Sequence, residues 1–516
     1  MQIAQGASPR GRLHVLCAIC LAALVLPLSF TGGAVATPAI GRALAAEPSQ
    51  LPWVTNAFML SFGSLLMAAG TLSDAYGRKR LFIAGLALLA TVSIALAGVS
   101  SMRWLIVLRA VQGAAAAATL ASGSAALAQV FEGRARARAF SLLGTTFGIG
   151  LAFGPLAGGL LLEHFGWRAI FATPAIFAAV SLLVAVVWMR ETRAPKAYAF
   201  DWAGAASFSA MLVLLTAAIV LAPQTGWRTP LVIGLLAGAA LSMAAFVMIE
   251  LHIEQPMLEL TLFRYPRFIG VQLLPIGTCY CYIVLIVLLT FRLGVEGIAP
   301  SDSGLLLLAL SAPMLVVPLL AAWLSRWIRA GKLCAVGFSI AAVGLYLLAH
   351  TPTEAGPRFV GTMLTIGMGT ALPWGLMDGL AVGVVPRERA GMAAGIFNTT
   401  RVAGEGIALA TAVALLGVLV AGRLEPLMPG QRSSEVAQLL SLGTLDPAFD
   451  PQLLRVAYLD GFDTLMLILS GVTLGVAVAT WLLLGRGEQA APYEPPAAES
   501  PAASYSTPGT ASGRNV

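Results

Sequence analysis

The sequence predicts an all-α, polytopic membrane protein with fourteen transmembrane helices. Apolar residues make up 58% of its 516 residues, and Asp, Glu, Lys and Arg make up only 11%, whereas roughly a quarter of an ordinary soluble domain is charged. No soluble fold of this length could bury so much apolar surface. The apolar residues also fall into runs of about twenty, the length that a helix needs to cross a bilayer.

The fourteen apolar runs are separated by short polar segments. The first run has an alternative interpretation as a cleavable signal peptide, because Arg10 and Arg12 precede its apolar core and Ala34 to Ala36 resemble a cleavage site. Its loss would leave an odd number of spans with the wrong charge polarity, so we expect the first run to be retained. The predicted spans cover residues 13–38, 53–72, 81–100, 104–129, 139–162, 169–189, 202–222, 230–250, 268–290, 303–324, 333–350, 359–385, 392–420 and 464–484.

The distribution of Lys and Arg predicts the orientation of these spans. With the N-terminus inside, the cytoplasmic segments contain twenty of the 31 Lys and Arg residues, the outer segments contain nine, and two lie within spans. Cytoplasmic loops of membrane proteins carry an excess of such cations. The sequence therefore predicts a multi-pass protein of the bacterial inner (plasma) membrane, embedded in the lipid bilayer, with its N- and C-termini in the cytoplasm.

The second half of the chain echoes the first half. Trp323 to Arg326, at the end of the tenth span, resemble Thr71 to Asp74 at the end of the second span. If the seventh and eighth spans are an insertion, the chain divides into two six-helix bundles, and many transporters build their site between such repeats. The tail is rich in Pro, Ala and Ser, a composition that predicts disorder. The predicted regions are a cytoplasmic N-terminus (1–12), an N-terminal bundle (13–190), two inserted helices (202–250), a C-terminal bundle (268–484, with an outer loop at 421–463) and a disordered cytoplasmic tail (485–516).

The composition argues against several classes of site. The five cysteines lie in or beside apolar runs and the four histidines lie far apart, so neither set predicts a disulfide framework, a metal site or a cofactor. The formal net charge is +7, but the cations occupy short loops and form no continuous stripe that would bind nucleic acid. A lipid-modifying membrane enzyme stays a remote alternative, because it would need clustered His, Asp or Glu near one membrane face. We therefore do not expect an enzyme.

The segment between the second and third spans, GTLSDAYGRKR at 70–80, combines glycines with charges. Glycines permit a sharp chain reversal, and an aspartate can cap a helix or pair with a neighbouring cation. One interpretation is cytoplasmic topology alone. The other is a gate whose charges hold the two bundles together and separate during a conformational switch. The candidate gating residues are Gly70, Asp74, Gly77, Arg78, Lys79 and Arg80.

The fifth span carries small residues at a four-residue spacing, which places them on one helix face. Such a face permits close helix approach in any membrane bundle, and a proline within it adds a kink. A second interpretation is that this close, bent contact seals the cavity on one side and favours export. The residues are Gly150, Gly154, Pro155, Gly158 and Gly159.

These motifs, in this order, resemble the fourteen-helix drug:proton antiporter (EmrB/QacA-like) branch of the major facilitator superfamily. The segment 70–80 matches the superfamily's loop between helices two and three, LIVLRAVQG at 105–113 matches its fourth-helix motif, and 150–159 matches its antiporter motif. The resemblance covers residues 13–484 and implies the major facilitator fold, with two six-helix bundles plus two inserted helices. Further matches are Phe131 to Arg138, Trp167–Arg168, PMLELTLFRYPRF ending at Phe268, and Asn398 to Arg401.

Ionisable side chains within the spans are functional candidates, because a charge in lipid is costly. Glu405 lies near the middle of the thirteenth span, and Arg401 lies one helical turn before it on the same face. These two residues are interpreted either as a carboxyl that titrates during transport or as a fixed ion pair between helices. Asp378 lies in the inner half of the twelfth span, about 12 Å from its end by helical rise. It is a second candidate, or a solvated residue at the cytoplasmic mouth.

Arg109 in the fourth span also has two interpretations. The resemblance implies a role in proton movement, with Gln112 on the adjoining turn. A buried arginine can instead serve only to satisfy backbone carbonyls. The candidate proton-coupling residues are thus Glu405, Arg109, Asp378 and Arg401.

The chain departs from the resemblance at two positions. Ser29 stands where this branch commonly has an acidic residue in the first helix, and Glu405 stands where it usually has a small residue. Either Glu405 and Asp378 take over the work of the missing acid, or the coupling differs from the family pattern. The missing acid argues against recognition of organic cations more than against transport.

Together these features predict a proton-coupled secondary transporter that exports small amphipathic molecules or drugs across the inner membrane by alternating access. The alternative is a dedicated exporter of a single metabolite, siderophore or amino acid. The predicted partners are a small-molecule substrate and protons, the protein is expected to be a monomer, and the sequence does not indicate whether a periplasmic adaptor takes part. The predicted substrate cavity lies between the bundles and is lined by Asn56, Gln112, Ser29 and Glu405.

Overall fold

The computed structural model describes residues 9–47, 49–131, 133–192, 201–253, 260–384, 390–426, 431–446 and 448–485, and these residues form helices and turns without a β-strand. Short 3₁₀ segments at Leu260–Arg264 and Thr353–Ala355 and a π-helical segment at Cys279–Ile283 accompany the α-helices. The α-helices are α1 (Pro9–Ala43), α2 (Trp53–Tyr76), α3 (Arg78–Gly98), α4 (Met102–Val130), α5 (Gly133–Phe165), α6 (Trp167–Trp188), α7 (Trp202–Thr225), α8 (Pro230–His252), α9 (Pro266–Thr278), α10 (Val284–Val295), α11 (Pro300–Ser311), α12 (Pro313–Leu324), α13 (Ala330–Leu348), α14 (Pro357–Gly383), α15 (Ala390–Leu424), α16 (Gln431–Ser441) and α17 (Pro451–Leu484).

The predicted fold class is confirmed. Within the described ranges, fourteen helical stretches are long and apolar enough to cross a membrane, so the chain is a multi-pass membrane protein. Two of the spans are interrupted. The ninth span consists of α9, the π-helical segment and α10, and the tenth span consists of α11 and α12, with the break at Pro313. A proline removes one backbone donor and clashes with the preceding turn, which explains the second break.

The predicted outer loop at 421–463 is largely helical. The chain continues as α15 to Leu424, forms α16, and then enters α17 at Pro451, well before the predicted start at 464. Asp450 caps α17, because its Oδ1 accepts a hydrogen bond from the backbone N–H of Gln452 at 3.0 Å. The predicted disordered tail lies outside the described residues from 486 onward.

The N-terminal bundle depends on close contact between α2 and α4. A Cβ added at Gly113 would overlap the carbonyl oxygen of Phe58, so the two backbones meet directly at this point. Gly85 of α3 faces Thr119 of α4 in a similar way. The aromatic rings of Phe58 and Phe82 are fully buried in the resulting core. Small residues therefore set the spacing of this bundle, as is usual where lipid provides no hydrophobic drive for helix association.

The C-terminal bundle is built in the same manner around α13. Gly344 of α13 faces Ile366 of α14, and a Cβ at Gly369 of α14 would meet the backbone nitrogen of Ala341. At the other side of α13, Gly331 lies against Leu484 at the end of α17. This bundle is thus held by the same small-residue contacts as the first.

The two bundles meet along two seams, which we call the α5–α11 seam and the α2–α15 seam. In the first, a Cβ at Gly159 would overlap the carbonyl oxygen of Pro300, and Gly304 faces the backbone of Leu156. In the second, a Cβ at Gly63 would lie 2.8 Å from the Cα of Ala403. Both seams are therefore backbone-to-backbone contacts that a larger side chain would push apart.

The inserted helices form a hairpin on one flank of the molecule. Met211 and Leu212 of α7 are buried against Leu60 of α2 and Ala403 of α15, so α7 covers the α2–α15 seam. Helix α8 packs mainly on α7, with Gly238 facing Leu214.

The α2–α4 contact gives the first prediction. Gly113→Ala should lower the free energy of unfolding by about 1–3 kcal/mol, because the added methyl group must separate two packed backbones. The matched control is Gly148→Ala in α5, where an added Cβ would meet nothing within 4 Å and where alanine favours the helix by up to about 1 kcal/mol. The measurement is the thermal unfolding midpoint of the detergent-solubilised protein. Equal midpoints for the two variants would contradict this packing.

Candidate functional site

Glu405 lies at the α2–α15 seam, deep inside the protein. Its side chain is 4% exposed, and its Oε1 is buried without a hydrogen-bond partner among the described residues. The flanking Gly406 is close to Met59 of α2, since an added Cβ would lie 3.3 Å from the Cβ of Met59. On the other flank, Gly404 faces the Sγ of Cys279. A carboxyl is thus placed where the two bundles touch, with one oxygen unsatisfied.

Arg401 does not pair with Glu405 within the described part of the chain. Its Nη1 lies 3.6 Å from Oδ1 of Asp378 on α14, and its Nη2 donates a hydrogen bond to Oδ1 of Asn398 at 2.8 Å. The guanidinium also faces the ring of Phe147 on α5, 5.7 Å from the ring centre. The fixed ion pair considered from the sequence therefore joins Arg401 to Asp378, and Glu405 is left separate.

Asp378 is the more exposed member of that ion pair, with 57% of its side chain accessible against 11% for Arg401. A carboxylate with this exposure is partly solvated, as one of the two sequence interpretations expected for a residue near the end of its span. Because solvent screens the pair, its contribution to stability is small, on the order of 0–1 kcal/mol.

Arg109 is fully buried in the N-terminal bundle. Its Nε donates to the carbonyl oxygen of Val54 at 2.7 Å, and its Nη1 donates to the carbonyl oxygen of Ser29 at 3.3 Å and to Oε1 of Gln112 at 2.6 Å. The ring of Phe58 lies 4.5 Å below the guanidinium carbon. No carboxylate pairs with Arg109 among the residues that the structure describes, so carbonyls and an amide carry its hydrogen bonds.

The side chains of Gln112 and Ser29 form hydrogen bonds within this bundle. The Nε2 of Gln112 donates to Oγ of Ser93 at 2.9 Å, and the hydroxyl of Ser29 donates to the carbonyl oxygen of Val25 at 2.9 Å. Both side chains are buried. The structure therefore places these two residues in the surroundings of Arg109.

The small-residue face of α5 contacts α1. An added Cβ at Gly150 would lie 2.8 Å from the carbonyl oxygen of Leu24, and one at Gly158 would lie 3.4 Å from the Cα of Gly32. Gly154 lies between them and faces Thr31. The remaining two residues of the motif, Pro155 and Gly159, face the other way, toward α11 at the α5–α11 seam. Helix α5 thus joins α1 on one side to the second bundle on the other.

The turn between α2 and α3 is shorter than the sequence suggests. Only Gly77 lies outside the helices, with φ of +115°, a conformation that favours glycine. The expectation that Gly70 also serves the reversal is wrong, because Gly70 lies inside α2 with nothing within 4 Å of an added Cβ. Asp74 pairs with Arg78, whose Nη2 lies 2.6 Å from Oδ1.

Helix α3 is fastened to the segment after α6. The carboxylate of Glu191 accepts hydrogen bonds from the backbone N–H groups of Lys79 and Arg80, each at 3.2 Å. An anion at a helix N-terminus is favourable because the backbone N–H groups there are otherwise unpaired. Lys79 Nζ also donates to the carbonyl oxygen of Val186 at 2.8 Å. All these contacts join elements of the N-terminal bundle.

A cavity of about 510 Å³ lies near the end of the bundle that carries α16. Helices α1, α2, α7, α10, α15 and α16 bound it, so residues of both bundles and of the inserted hairpin line it. Of the four predicted cavity residues, only Asn56 lies in this lining. The contribution of α16 was missed from the sequence, where the segment was assigned to a loop.

Sequence reasoning also missed Arg292, which lies two residues beyond the predicted ninth span (268–290). The structure buries it to 2% exposure, with Nε 3.0 Å from Oε1 of Glu296 and Nη1 3.9 Å from Oδ1 of Asp463. The spacing of Arg292 and Glu296, one helical turn apart, is the signal that could have indicated an ion pair.

The described part of the chain contains no group of three His, Cys, Asp or Glu residues that could hold a metal ion.

Comparisons with known proteins agree with this architecture. The family model described as Major Facilitator Superfamily matches residues 19–409. The chain is 32% identical to the multidrug resistance protein Stp of Mycobacterium tuberculosis (strain CDC 1551 / Oshkosh) over 395 residues, which cover 76% of this chain and 73% of that protein. It is 30% identical to the tetracenomycin C resistance and export protein of Streptomyces glaucescens over 427 residues, 81% of this chain and 78% of that protein.

Among solved structures, the fold is similar to that of a bacterial homologue of the human lysosomal transporter Spinster in an inward-facing, unoccupied conformation. The TM-score is 0.61 at 16% sequence identity, and the match covers 93% of this chain and 99% of that one. At this identity the likeness concerns the fold.

The surroundings of Arg109 give the second prediction. Arg109→Lys keeps the positive charge but lacks the planar fork, so the carbonyl of Val54 and the amide of Gln112 lose donors. We expect the free energy of unfolding to fall by about 1–3 kcal/mol. The control is Arg103→Lys on the exposed first turn of the same helix, which should change stability by less than about 0.5 kcal/mol. Thermal unfolding in detergent measures both, and an unchanged midpoint for Arg109→Lys would show that these hydrogen bonds do not matter.

Proposed function

The chain belongs to the major facilitator superfamily, and on that premise we propose that it is a proton-coupled secondary transporter that exports small amphipathic molecules or drugs. Membership of this superfamily indicates a transporter, and we propose no enzymatic activity. Relatives of the chain include proteins named for multidrug resistance and for resistance and export. Two bundles that meet along seams of small residues can rock against each other, and this rocking exposes a central site to each side of the membrane in turn.

The observation that carries the proposal is the state of Glu405. A carboxyl that is 4% exposed and lacks a partner at one oxygen is costly to ionise unless a counter-charge reaches it. Arg401 is the nearest candidate, and it is held by Asp378 and Asn398. Glu405 can therefore bind and release a proton as the seam opens and closes, which a carboxyl fixed in an ion pair would not do.

We assign proton coupling to four residues in different roles. Glu405 carries the proton, and a proton reaching it displaces the substrate. The Arg401–Asp378 pair sets the local charge beside it, and release of the proton on the opposite side resets the site. Arg109, with Gln112 and the backbone of Ser29, keeps a fixed positive charge within the N-terminal bundle.

The gating and antiporter motifs fit the same cycle. The turn around Gly77, with Asp74, Arg78, Lys79 and Arg80, lies at the opposite end of α2 from α16 and is fastened to its own bundle. Gly70 lies within α2, in the part of that helix that leads to this turn. Among the described residues, the contacts of these charges lie within their own bundle, and we propose that contact with the second bundle forms when that end closes. The motif from Gly150 to Gly159 keeps α5 close to α1 and α11, and we propose that this close contact seals one side of the cavity between the bundles.

We place the protein in the inner (plasma) membrane of a bacterium, as a monomer with both termini in the cytoplasm. The excess of Lys and Arg in alternate loops supports this orientation. In it, the α16 end faces outward and the turn at Gly77 faces the cytoplasm.

The third prediction tests the role of Glu405. Glu405→Gln should abolish efflux driven by a proton gradient in everted membrane vesicles, because the amide keeps the size of the side chain but cannot carry a proton. Counterflow of substrate without a gradient should persist. The control is Glu354→Gln at an exposed position, which should leave both rates within about twofold of wild type. Full proton-dependent efflux by Glu405→Gln would refute the assignment.

A dedicated exporter of one compound is the alternative, and one relative is named for resistance to and export of a single compound, tetracenomycin C. The fourth prediction separates the two functions. Expression in a drug-sensitive host should raise resistance to several unrelated amphipathic compounds if the protein is a multidrug exporter. Protection against one compound alone, with Glu405→Gln as the inactive control, would favour the dedicated exporter.

A further inference from the structure

We propose that the cavity at the α16 end is a binding site for an uncharged, amphipathic organic molecule, hydrogen-bonded between Asn56 and the polar face of α16. The inference rests on the proposed function, because it names the chemical class of the molecule that the transporter carries. It also assigns a role in specificity to α16.

The charge of the lining decides between classes of ligand. Of the described residues around the cavity, Glu425 is the one with an ionisable side chain, and it is solvent-exposed at the rim. The deeper wall combines apolar side chains such as Leu51, Val287 and Phe291 with hydroxyl and amide groups. An ion in such a place would lose its hydration without gaining a counter-charge, which costs far more than burying a neutral polar group.

Asn56 has a side-chain oxygen without a hydrogen-bond partner among the described residues. The residue is one of those that line the cavity and is 3% exposed, and the unpaired oxygen, Oδ1, is buried. Leaving a buried amide oxygen unpaired is unfavourable, because the oxygen has lost its hydrogen bonds to water and gained none in the protein. A rotation of the side-chain amide would turn this oxygen toward the cavity, where an N–H or O–H donor of the ligand would satisfy it.

Helix α16 contributes another part of the cavity wall. Ser434, Gln438 and Ser441 recur at helical spacing and all three line the cavity. The other face of α16 carries Val436 and Leu440, which are buried in the protein core. Both faces of this helix are therefore directed into the protein. The apolar face packs on the core, and the polar face lines the cavity.

The size of the cavity fits this class of ligand. A volume of about 510 Å³ falls within the range of roughly 300–1,000 Å³ that is usual for pockets holding drug-sized molecules. An apolar lining with a few convergent polar groups is also the usual composition of such pockets.

The fifth prediction uses two dyes that differ in one charge. Dansyl pentylamide is uncharged at pH 7, and dansylcadaverine is the same molecule with a terminal ammonium group. Energy transfer from tryptophan to the dansyl group reports binding to the full-length protein in nanodiscs. We expect saturable binding of dansyl pentylamide, at least about tenfold tighter than that of dansylcadaverine. Gln438→Leu should weaken the binding of dansyl pentylamide several-fold, whereas Gln452→Leu at an exposed position of α17 should not.

Charge-introducing variants provide the second arm of the experiment. Asn56→Asp and Gln438→Glu each place a carboxylate at the cavity, so each should shift the preference toward dansylcadaverine by about tenfold or more. Gln438→Glu keeps the test decisive if Asn56→Asp does not fold, because α16 contributes a separate wall.

Three results would overturn the inference: equal or tighter binding of dansylcadaverine by the wild type, no saturable binding of either dye, or an unchanged preference in a folded charge variant. Gradient-driven efflux without a preference for the uncharged dye would refute this inference alone. Absence of gradient-driven transport for any compound would instead refute the proposed function, even if dansyl pentylamide binds.

Discussion

The constraint on which this structure depends is that a polar group removed from water must find its partners inside the protein. The bilayer offers no hydrogen bonds, and an unpaired charge there costs several kcal/mol. Arg109, Arg292 and Arg401 are each surrounded by carbonyls, amides, carboxylates or aromatic faces. Several buried polar atoms are nevertheless without a partner among the described residues. Glu405 and Asn56 each keep a buried oxygen without a partner among the described residues, and they carry the two proposals, one for the proton and one for the substrate.

The same constraint explains why small residues shape the bundle. Helices that satisfy their own backbone hydrogen bonds gain little by leaving lipid, so they associate through close packing. At Gly113, Gly159 and Gly63 the backbones of neighbouring helices lie so close that a Cβ added to the glycine would collide with backbone atoms of the other helix. At Gly159 and Gly63 the two bundles therefore meet through small residues. Surfaces of this kind can separate and meet again without pulling interdigitated side chains apart.

Much of the fold could be predicted from the sequence because span length, charge bias and motif order are one-dimensional signals. The fourteen spans and the superfamily followed from them. The partner of Arg401 could not be predicted, since it depends on how α14 and α15 are rotated against each other and not on helical spacing alone. For the same reason Arg292 was assigned to an outer segment although it is buried. Helix α16 was missed because its eleven residues are too short and too polar to resemble a span.

The position of α7 has a mechanical consequence. This helix touches α2 of one bundle and α15 of the other through Met211, Leu212, Leu60 and Ala403, all of them apolar. Any rotation of one bundle must therefore slide α7 along at least one of its neighbours. Contacts of this kind have no preferred direction, so sliding changes their energy much less than breaking a hydrogen bond would. If the bundles rock as proposed, the inserted hairpin would stay packed over the α2–α15 seam while the two bundles move, and it would shield that seam from lipid.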